Sequence, residues 1–148
     1  MSVIAETCVE YDEVRKICVA EENGKKYHLN NELAMFRVRK AKVDGCIDPV
    51  SDIKKCDFLF SVDNQQNDTV FFVELKGGDV LHGLKQINET IGLLKGEFMG
   101  YRMEARVVSS RGVPNFEAQP SYKRLLKQIE PTGGNIKIAT NKFLKDTI

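Results

Sequence analysis

Three charged residues, Asp57, Glu74 and Lys76, have the types and spacing of a site for a divalent cation. Sixteen residues separate Asp57 from Glu74, and Lys76 follows Glu74 by two positions. Side chains two apart in a strand point to the same face, so Glu74 and Lys76 project together if they share a strand. Two carboxylates beside a lysine would suit Mg²⁺, which prefers oxygen ligands. Such an ion activates water and neutralises charge on a phosphate that is being hydrolysed.

The same three residues also fit a plain cross-strand ion pair on a solvated sheet face, which is common and weak. Spacing alone favours that interpretation. The elements that position the three residues must therefore decide between the two.

Two predicted strands bring the carboxylates together. Residues 56–62 and 69–76 are rich in aromatic and β-branched residues, and the Asn- and Asp-rich segment 63–68 between them is typical of a turn. A short turn predicts an antiparallel pair, which places the start of the first strand beside the end of the second. Asp57 is then within side-chain reach of Glu74.

An amphipathic helix is predicted directly after this pair. Gly77-Gly78 ends the second strand, Asp79 is a suitable N-cap, and Gly96 supplies a C-terminal stop. Its apolar stripe recurs at intervals of three and four and consists of Val80, Leu84, Ile87, Ile91 and Leu94. A helical wheel puts His82 and Gln86 opposite that stripe.

The remaining pattern predicts an α/β fold with a mixed central sheet flanked by helices, in one domain over residues 1–148. Strands are expected at 35–43, 101–109 and 135–140, and a second helix at 121–129. The Asn23-Gly24 pair predicts a hairpin turn, whereas residues 14–20 fit a helix or a strand equally well.

Length, charge and cysteines exclude several classes of protein. The chain has 148 residues, and 22 Lys and Arg against 21 Asp and Glu give a formal charge of +1. That balance disfavours a protein held on nucleic acid by overall positive charge, although a local basic cleft remains compatible. No apolar run predicts a membrane span or a signal peptide, so we expect a cytoplasmic protein with no membrane association. The scattered cysteines Cys8, Cys18, Cys46 and Cys56 are then expected to be reduced, and their spacing disfavours a zinc site.

The segments Cys56-Asp57-Phe58-Leu59 and Val73-Glu74-Leu75-Lys76-Gly77, with Val43-Asp44-Gly45-Cys46 upstream, resemble the PD-(D/E)XK superfamily of phosphodiesterases. This superfamily includes restriction-endonuclease-like and Holliday-resolvase-like nucleases, and the chain is similar to its small stand-alone members. The resemblance covers residues 40–95. It implies a restriction-endonuclease-like core, with Asp57 and Glu74 as ligands of Mg²⁺ or Mn²⁺ and Lys76 as the catalytic lysine.

The same resemblance implies that Gln86, on the helix after the E-x-K motif, supports the catalytic site. A solvated glutamine on an exposed helix face is the alternative. Many active members carry a further glutamate on an early helix. The candidates for that third acidic ligand are Glu10, Glu13, Glu32 and Asp44, although Asp44 before Gly45 is also a simple turn residue. Cys56 stands where a proline often precedes the aspartate.

Basic residues near the predicted site could contact a nucleic acid. They are Arg37, Arg39, Lys40, Lys42, Lys54, Lys55 and Arg111. A solvated sheet edge protected by lysines explains them equally well. The leading hypothesis is a metal-dependent nuclease that hydrolyses DNA, or less plausibly RNA. The alternatives are a catalytically inactive nuclease-fold binding or assembly subunit and an interaction protein. Because 148 residues leave no room for a recognition domain, an active form is expected to be a homodimer or to work with a protein partner.

Overall fold

A computed structural model of the chain describes residues 4–49, 52–63, 67–75 and 79–148. Within these ranges the strands are β1 (Val9–Val14), β2 (Ile17–Glu22), β3 (Lys25–Asn30), β4 (Arg37–Lys42), β5 (Phe58–Asp63), β6 (Thr69–Leu75), β7 (Arg102–Val108), β8 (Ile136–Ala139) and β9 (Phe143–Thr147). The α-helices are α1 (Val80–Leu94) and α2 (Pro120–Ile129). Short 3-10 helices span Glu6–Cys8, Phe116–Ala118 and Glu130–Thr132.

The strands form two mixed sheets. The large sheet has the order β1-β4-β5-β6-β7-β8; its first four strands are antiparallel neighbours, and β6, β7 and β8 run parallel. The small sheet has the order β2-β3-β9, in which β2 and β3 are antiparallel and β9 is parallel to β3. The molecule is therefore an α/β protein with two mixed sheets and two α-helices.

Two hydrophobic cores lie on opposite faces of the large sheet. One core joins that sheet to the helices and includes Phe72 of β6, Leu84 of α1 and Leu125 of α2. The other joins it to the small sheet and includes Tyr27 of β3 and Phe71 of β6. Phe71 and Phe72 point to opposite faces because side chains alternate along a strand. The predicted mixed central sheet is confirmed, but helices cover one of its faces and a second sheet covers the other.

The strongest local signals are confirmed. The Asn23-Gly24 turn joins β2 and β3, and both turn residues have positive φ angles of 52° and 77°, as such a hairpin turn requires. Helix α1 begins where the capping pattern predicts, since the Asp79 carboxylate accepts a hydrogen bond from the His82 N–H at 3.0 Å.

The chain termini differ from expectation. Residues 9–14 form edge strand β1, where the sequence predicts no element before Val14, and residues 143–147 add strand β9 after the strand expected to be the last. Both strands have mostly exposed or half-buried side chains. They lack the apolar alternation that marks a half-buried strand, which is why the sequence pattern misses them.

The expectation of four reduced cysteines is wrong for two of them. Cys8 and Cys46 form a disulfide across a sequence separation of 38 residues, while Cys18 and Cys56 are free and buried. The bond joins the segment before β1 to the turn after Asp44. Sequence spacing could not reveal the pair, because only the tertiary structure brings the two residues together. Neither of the helices described here has the length and apolar character needed to cross a membrane.

Candidate functional site

The predicted pairing of Asp57 and Glu74 occurs where β5 begins and β6 ends. Phe58 lies opposite Val73 in the antiparallel ladder, so the two acidic residues are adjacent across it. The Asp57 N–H donates a hydrogen bond to Glu74 Oε1 at 3.1 Å. In return, Asp57 Oδ2 accepts a hydrogen bond from the Leu75 N–H at 2.9 Å. The Glu74 carboxylate is therefore held by the backbone of Asp57, and the Asp57 carboxylate by the backbone of Leu75, the residue after Glu74.

Helix α1 fixes the segment that carries Asp57. The Cys56 N–H donates to Thr90 Oγ1 at 2.9 Å, and Gln86 Nε2 donates to the Lys55 carbonyl at 3.0 Å. Thr90 Oγ1 in turn donates to the Gln86 carbonyl at 2.7 Å. The helix thus binds the backbone on the N-terminal side of Asp57 at two points and limits its movement.

Gln86 is buried, with 7% of its surface exposed, so the alternative of a solvated glutamine on an exposed helix face is wrong. The buried face of α1 is wider than its apolar stripe and also includes Gly83 and Thr90. Gln86 Oε1 is buried and has no hydrogen-bond partner in the described part of the chain. A buried acceptor without a partner is uncommon and calls for an explanation, such as a water or a ligand.

A glutamate that the sequence did not single out lies at the site. Glu22, the last residue of β2, has its carboxyl group within hydrogen-bonding distance of the Asp57 carboxyl. Partial burial of the carboxyl group, the Asp57 charge and that hydrogen bond raise the pKa of Glu22, although the residue as a whole is exposed; Asp44 adds to the rise and Lys42 opposes it. Two carboxylates in contact repel each other. One of them therefore keeps a proton unless a cation lies between them.

Glu22 could have been noticed because it directly precedes the Asn23-Gly24 turn, the clearest hairpin signal in the N-terminal region. Its proximity to Asp57 could not have been predicted, since Glu22 lies on the small sheet whereas Asp57 directly precedes a strand of the large sheet. Glu22 is therefore a carboxylate beside Asp57 that the sequence analysis does not include among Glu10, Glu13, Glu32 and Asp44.

Of those four candidates, only Asp44 lies near the pair. Its N–H donates to the Cys56 carbonyl at 3.0 Å, which continues the ladder beside Asp57. Glu10 instead forms an ion pair with Lys40 at 2.8 Å, and Glu13 with Arg15. Glu10 and Glu13 lie on strand β1, not on a helix. Glu32 is exposed in the turn after β3.

Lys76 lies outside the described residues, as do the two glycines that follow it. Among the residues that are described, no group of three or more His, Cys, Asp or Glu side chains has metal-binding geometry. The arrangement is a pair, Asp57 and Glu74, with Glu22 in contact with one member and Asp44 nearby. One or two protein carboxylates are a usual number for Mg²⁺, which keeps several waters and binds substrate phosphate.

The buried thiol of Cys56 next to Asp57 is not a nucleophile. Burial, together with the Glu74 charge, raises the pKa of Cys56 well above its usual value. The thiol therefore stays protonated at neutral pH, and a thiolate is what thiol chemistry needs.

The basic residues of β4 and the basic residue Lys55 do not form one cationic patch. Arg37 pairs with Asp12 at 2.6 Å, and Lys40 is mostly buried against Glu10 and the Phe58 ring. Lys55 is buried as well, and its ammonium donates to the carbonyls of Asp48 and Ile53. Lys42, whose charge acts on Glu22, is the basic residue of this group that the structure places at the acidic site.

Comparison with known proteins adds no identification. No protein-family model, no curated protein and no solved structure matches the chain. The class of site is therefore defined by its own geometry: a carboxylate pair at the carboxyl end of a central strand, fixed by hydrogen bonds from the buried face of helix α1.

Proposed function

We propose that the protein is a metal-dependent phosphodiesterase of the PD-(D/E)XK type that hydrolyses a nucleic acid, with DNA favoured over RNA. The observation that carries the proposal is a pair of hydrogen bonds across the ladder, from the Asp57 N–H to the Glu74 carboxylate and from the Leu75 N–H to the Asp57 carboxylate, which fix two carboxylates at adjacent positions. The order of elements agrees with a restriction-endonuclease-like core. An antiparallel hairpin of β5 and β6 leads into α1 and then into β7, parallel to β6.

The donor set fits a hard divalent cation. Among the described residues the potential metal ligands that come together here are carboxyl groups, and Mg²⁺ and Mn²⁺ favour oxygen ligands. The contact between the Glu22 and Asp57 carboxyls supports the proposal further, because a cation would relieve their repulsion. When bound, the cation would acidify a coordinated water and neutralise charge on the phosphate.

In this mechanism the chain's own residues have separate tasks. Asp57 and Glu74 would hold the cation, and Lys76 would orient the attacking water or stabilise developing negative charge. Gln86 is a positioning residue, since its Nε2 anchors the Lys55 carbonyl two residues before Asp57. Glu22 is a further carboxylate through which the small sheet reaches the site.

One observation favours a second function. Asp57 and Glu74 each use one oxygen to accept a backbone hydrogen bond, so the pair also has a structural task. A nuclease-fold protein that binds a nucleic acid or assembles with a partner without cleaving would keep these bonds. Catalysis and metal binding must therefore be measured separately.

The test is cleavage of supercoiled plasmid, linear duplex, single-stranded DNA and RNA in the presence of Mg²⁺ or Mn²⁺. We expect Asp57→Asn, Glu74→Gln and Lys76→Met each to lower the cleavage rate by at least about 100-fold, because each removes a charge that acts on the reacting phosphate. Asn and Gln keep an oxygen for the backbone bonds, so these variants should fold. Glu117→Gln, an exposed carboxylate near α2, is the matched control and should cleave like the wild type.

The second measurement is calorimetric binding of Mn²⁺ to the wild type and to Asp57→Asn. Cleavage that persists in both Asp57→Asn and Lys76→Met would come from a contaminant and would overturn the proposal. Wild-type protein that binds Mn²⁺ through Asp57 but cleaves no substrate would overturn the enzymatic function and favour the binding subunit. Absence of both cleavage and metal binding would reject the site.

A further inference from the structure

The small sheet packs on the large sheet with one face and exposes the other. Its inward side chains, such as Tyr27 and Leu29 of β3, are fully buried in the core between the two sheets. Side chains alternate along a strand, so the residues between these point outward. The outward residues, which we call the outer face, are Ile17, Val19 and Glu21 of β2, Lys26, His28 and Asn30 of β3, and Phe143, Lys145 and Thr147 of β9.

The outer face carries an aromatic pair. Phe143 is 40% exposed, although a phenylalanine ring gains free energy from burial. His28 packs edge-to-face against it, with 4.9 Å between the ring centroids and 77° between the ring planes. A ring that a neighbour holds in place on an open sheet is a surface on which another planar ring can stack.

Lysines surround this pair. Lys26 lies directly opposite Phe143 in the parallel ladder of β3 and β9, and Lys145 lies opposite His28. Lys142 is exposed at the rim, where its carbonyl accepts from the Lys26 N–H. Within the described ranges of the chain, Lys142 and Lys145 have no ion-pair partner. Both ammonium groups are therefore available to an anionic ligand.

The acidic groups of the small sheet do not cancel this charge. Glu21 of the outer face pairs with Lys26 only at 3.9 Å, and both side chains are about half exposed, so the ion pair is weak. Glu22 is directed to the acidic site, and Asp146 is buried in ion pairs between the sheets. Ile148 lies at the other end of the sheet. The end of the outer face that carries the aromatic pair is therefore cationic.

This cationic end adjoins the acidic site. Glu21, Lys26 and Phe143 form one row across the three strands. The next residue of β2, about 3.3 Å further along the strand, is Glu22, whose carboxyl group contacts that of Asp57. A chain molecule that lies along the outer face can therefore continue to the carboxylates.

We propose that the outer face of the small sheet binds a single-stranded nucleic acid and leads it to the acidic site. An unpaired base stacks on Phe143, and the neighbouring phosphates contact Lys26, Lys142 and Lys145. The bases of a duplex are already stacked on one another, so the ring on the protein selects an unpaired strand. Delivery of the strand to the carboxylates rests on the proposed function, whereas binding to the outer face does not.

The test is fluorescence anisotropy with labelled oligothymidylate, oligouridylate and a duplex of the same length. The buffer contains EDTA, so that no metal-dependent cleavage occurs. We expect both single strands to bind at least about fivefold more tightly than the duplex, because stacking needs an accessible base face and accepts DNA and RNA alike.

Two substitutions separate the contribution of the ring from that of the charge. Phe143→Leu should weaken the binding of oligothymidylate by at least about fivefold, because it removes the ring and keeps an exposed apolar side chain. Phe143→Tyr keeps the ring and should bind like the wild type. Lys145→Gln should lower the slope of log affinity against log salt by about 0.7, the value for one phosphate contact on a single strand. Lys123→Gln, an exposed lysine on α2, is the matched control and should leave the slope unchanged.

Equal affinity for the duplex and the single strands would overturn the proposal, as would unchanged binding in both Phe143→Leu and Lys145→Gln. The assay contains no free divalent cation, so its result does not depend on whether the acidic site cleaves a substrate. The binding surface and the proposed nuclease activity can therefore fail separately.

Discussion

Strand β6 borders two charged regions: one holds like charges close together, and the other pairs opposite charges. At its carboxyl end, Glu74 and Asp57 lie together with Glu22 in contact and Asp44 nearby, and Lys42 is the described lysine that opposes them. Across its small-sheet face, Arg106, Glu104 and Asp146 form a network in which every carboxylate oxygen has a partner. The carboxylates of the first region repel one another, whereas the opposite charges of the second region nearly cancel.

The difference shows what each region contributes to the protein. A buried and satisfied network costs desolvation, but it binds β7 to β9 and so joins the two sheets. Like charges held close together do not stabilise the fold by themselves. They form no ion pair, and here they raise the pKa of Glu22. Such an arrangement persists where a cation or a substrate uses it, and perturbed carboxyl groups are therefore candidates for function.

The largest expected effect is on the ionic network. Arg106→Met should lower the free energy of unfolding by about 3–5 kcal/mol, because it leaves Glu104 and Asp146 buried without their shared cation. Urea denaturation measures the loss. Arg124→Met, on the exposed face of α2, is the control and should change stability by less than about 0.5 kcal/mol. Equal stability of the two variants would show that the network does not join the sheets.

The next effect concerns the disulfide beside the acidic region. Cys8→Ala with Cys46→Ala should lower the free energy of unfolding by about 2–4 kcal/mol, because the bond closes a loop across 38 residues in the unfolded chain. Denaturation with and without a reductant measures it. The reductant should destabilise the wild type and leave the double variant unchanged, since Cys18 and Cys56 are free thiols. A reductant effect that survives in the double variant would contradict the pairing.

The smallest effect is a pH dependence at the acidic region. The folded state raises the pKa of Glu22, so its ionised form weakens the fold. Glu22→Gln should therefore stabilise the protein at pH 7, and the gain should vanish as the pH falls below about 4, where the unfolded carboxyl is protonated too. The gain should be no more than about 0.5 kcal/mol, since Glu22 is exposed and solvent screens its charge.

Thermal unfolding between pH 4 and pH 7 measures this gain, with Glu21→Gln as the control. Glu21 is the preceding residue and pairs with Lys26, so its replacement should give no gain. Mg²⁺ should abolish the advantage of Glu22→Gln, because a bound cation neutralises the same repulsion. A gain that is independent of both pH and Mg²⁺ would contradict the electrostatic explanation.

The sequence predicted well wherever local chemistry and periodicity agree. The β5–β6 pair, the Asp79 cap of α1 and the Asn23-Gly24 hairpin are examples in which turn residues and apolar spacing lead to one structure. Prediction from the sequence failed where the burial of a side chain depends on residues that are distant in the chain. A helical wheel puts Gln86 opposite the apolar stripe and so leaves an exposed position open as an alternative, because the wheel contains no information on the Lys55 carbonyl that accepts its amide hydrogen bond.

The sequence by itself determined the identity of most elements and the adjacency of Asp57 and Glu74, because antiparallel pairing across a short turn is a local property. The tertiary structure alone decided that Glu22 meets Asp57, that Cys8 meets Cys46, and that Arg106 meets Asp146. These contacts join residues 35, 38 and 40 positions apart. Such pairs form when the small sheet and the N-terminal segment pack on the large sheet, and no periodicity in the chain encodes that packing.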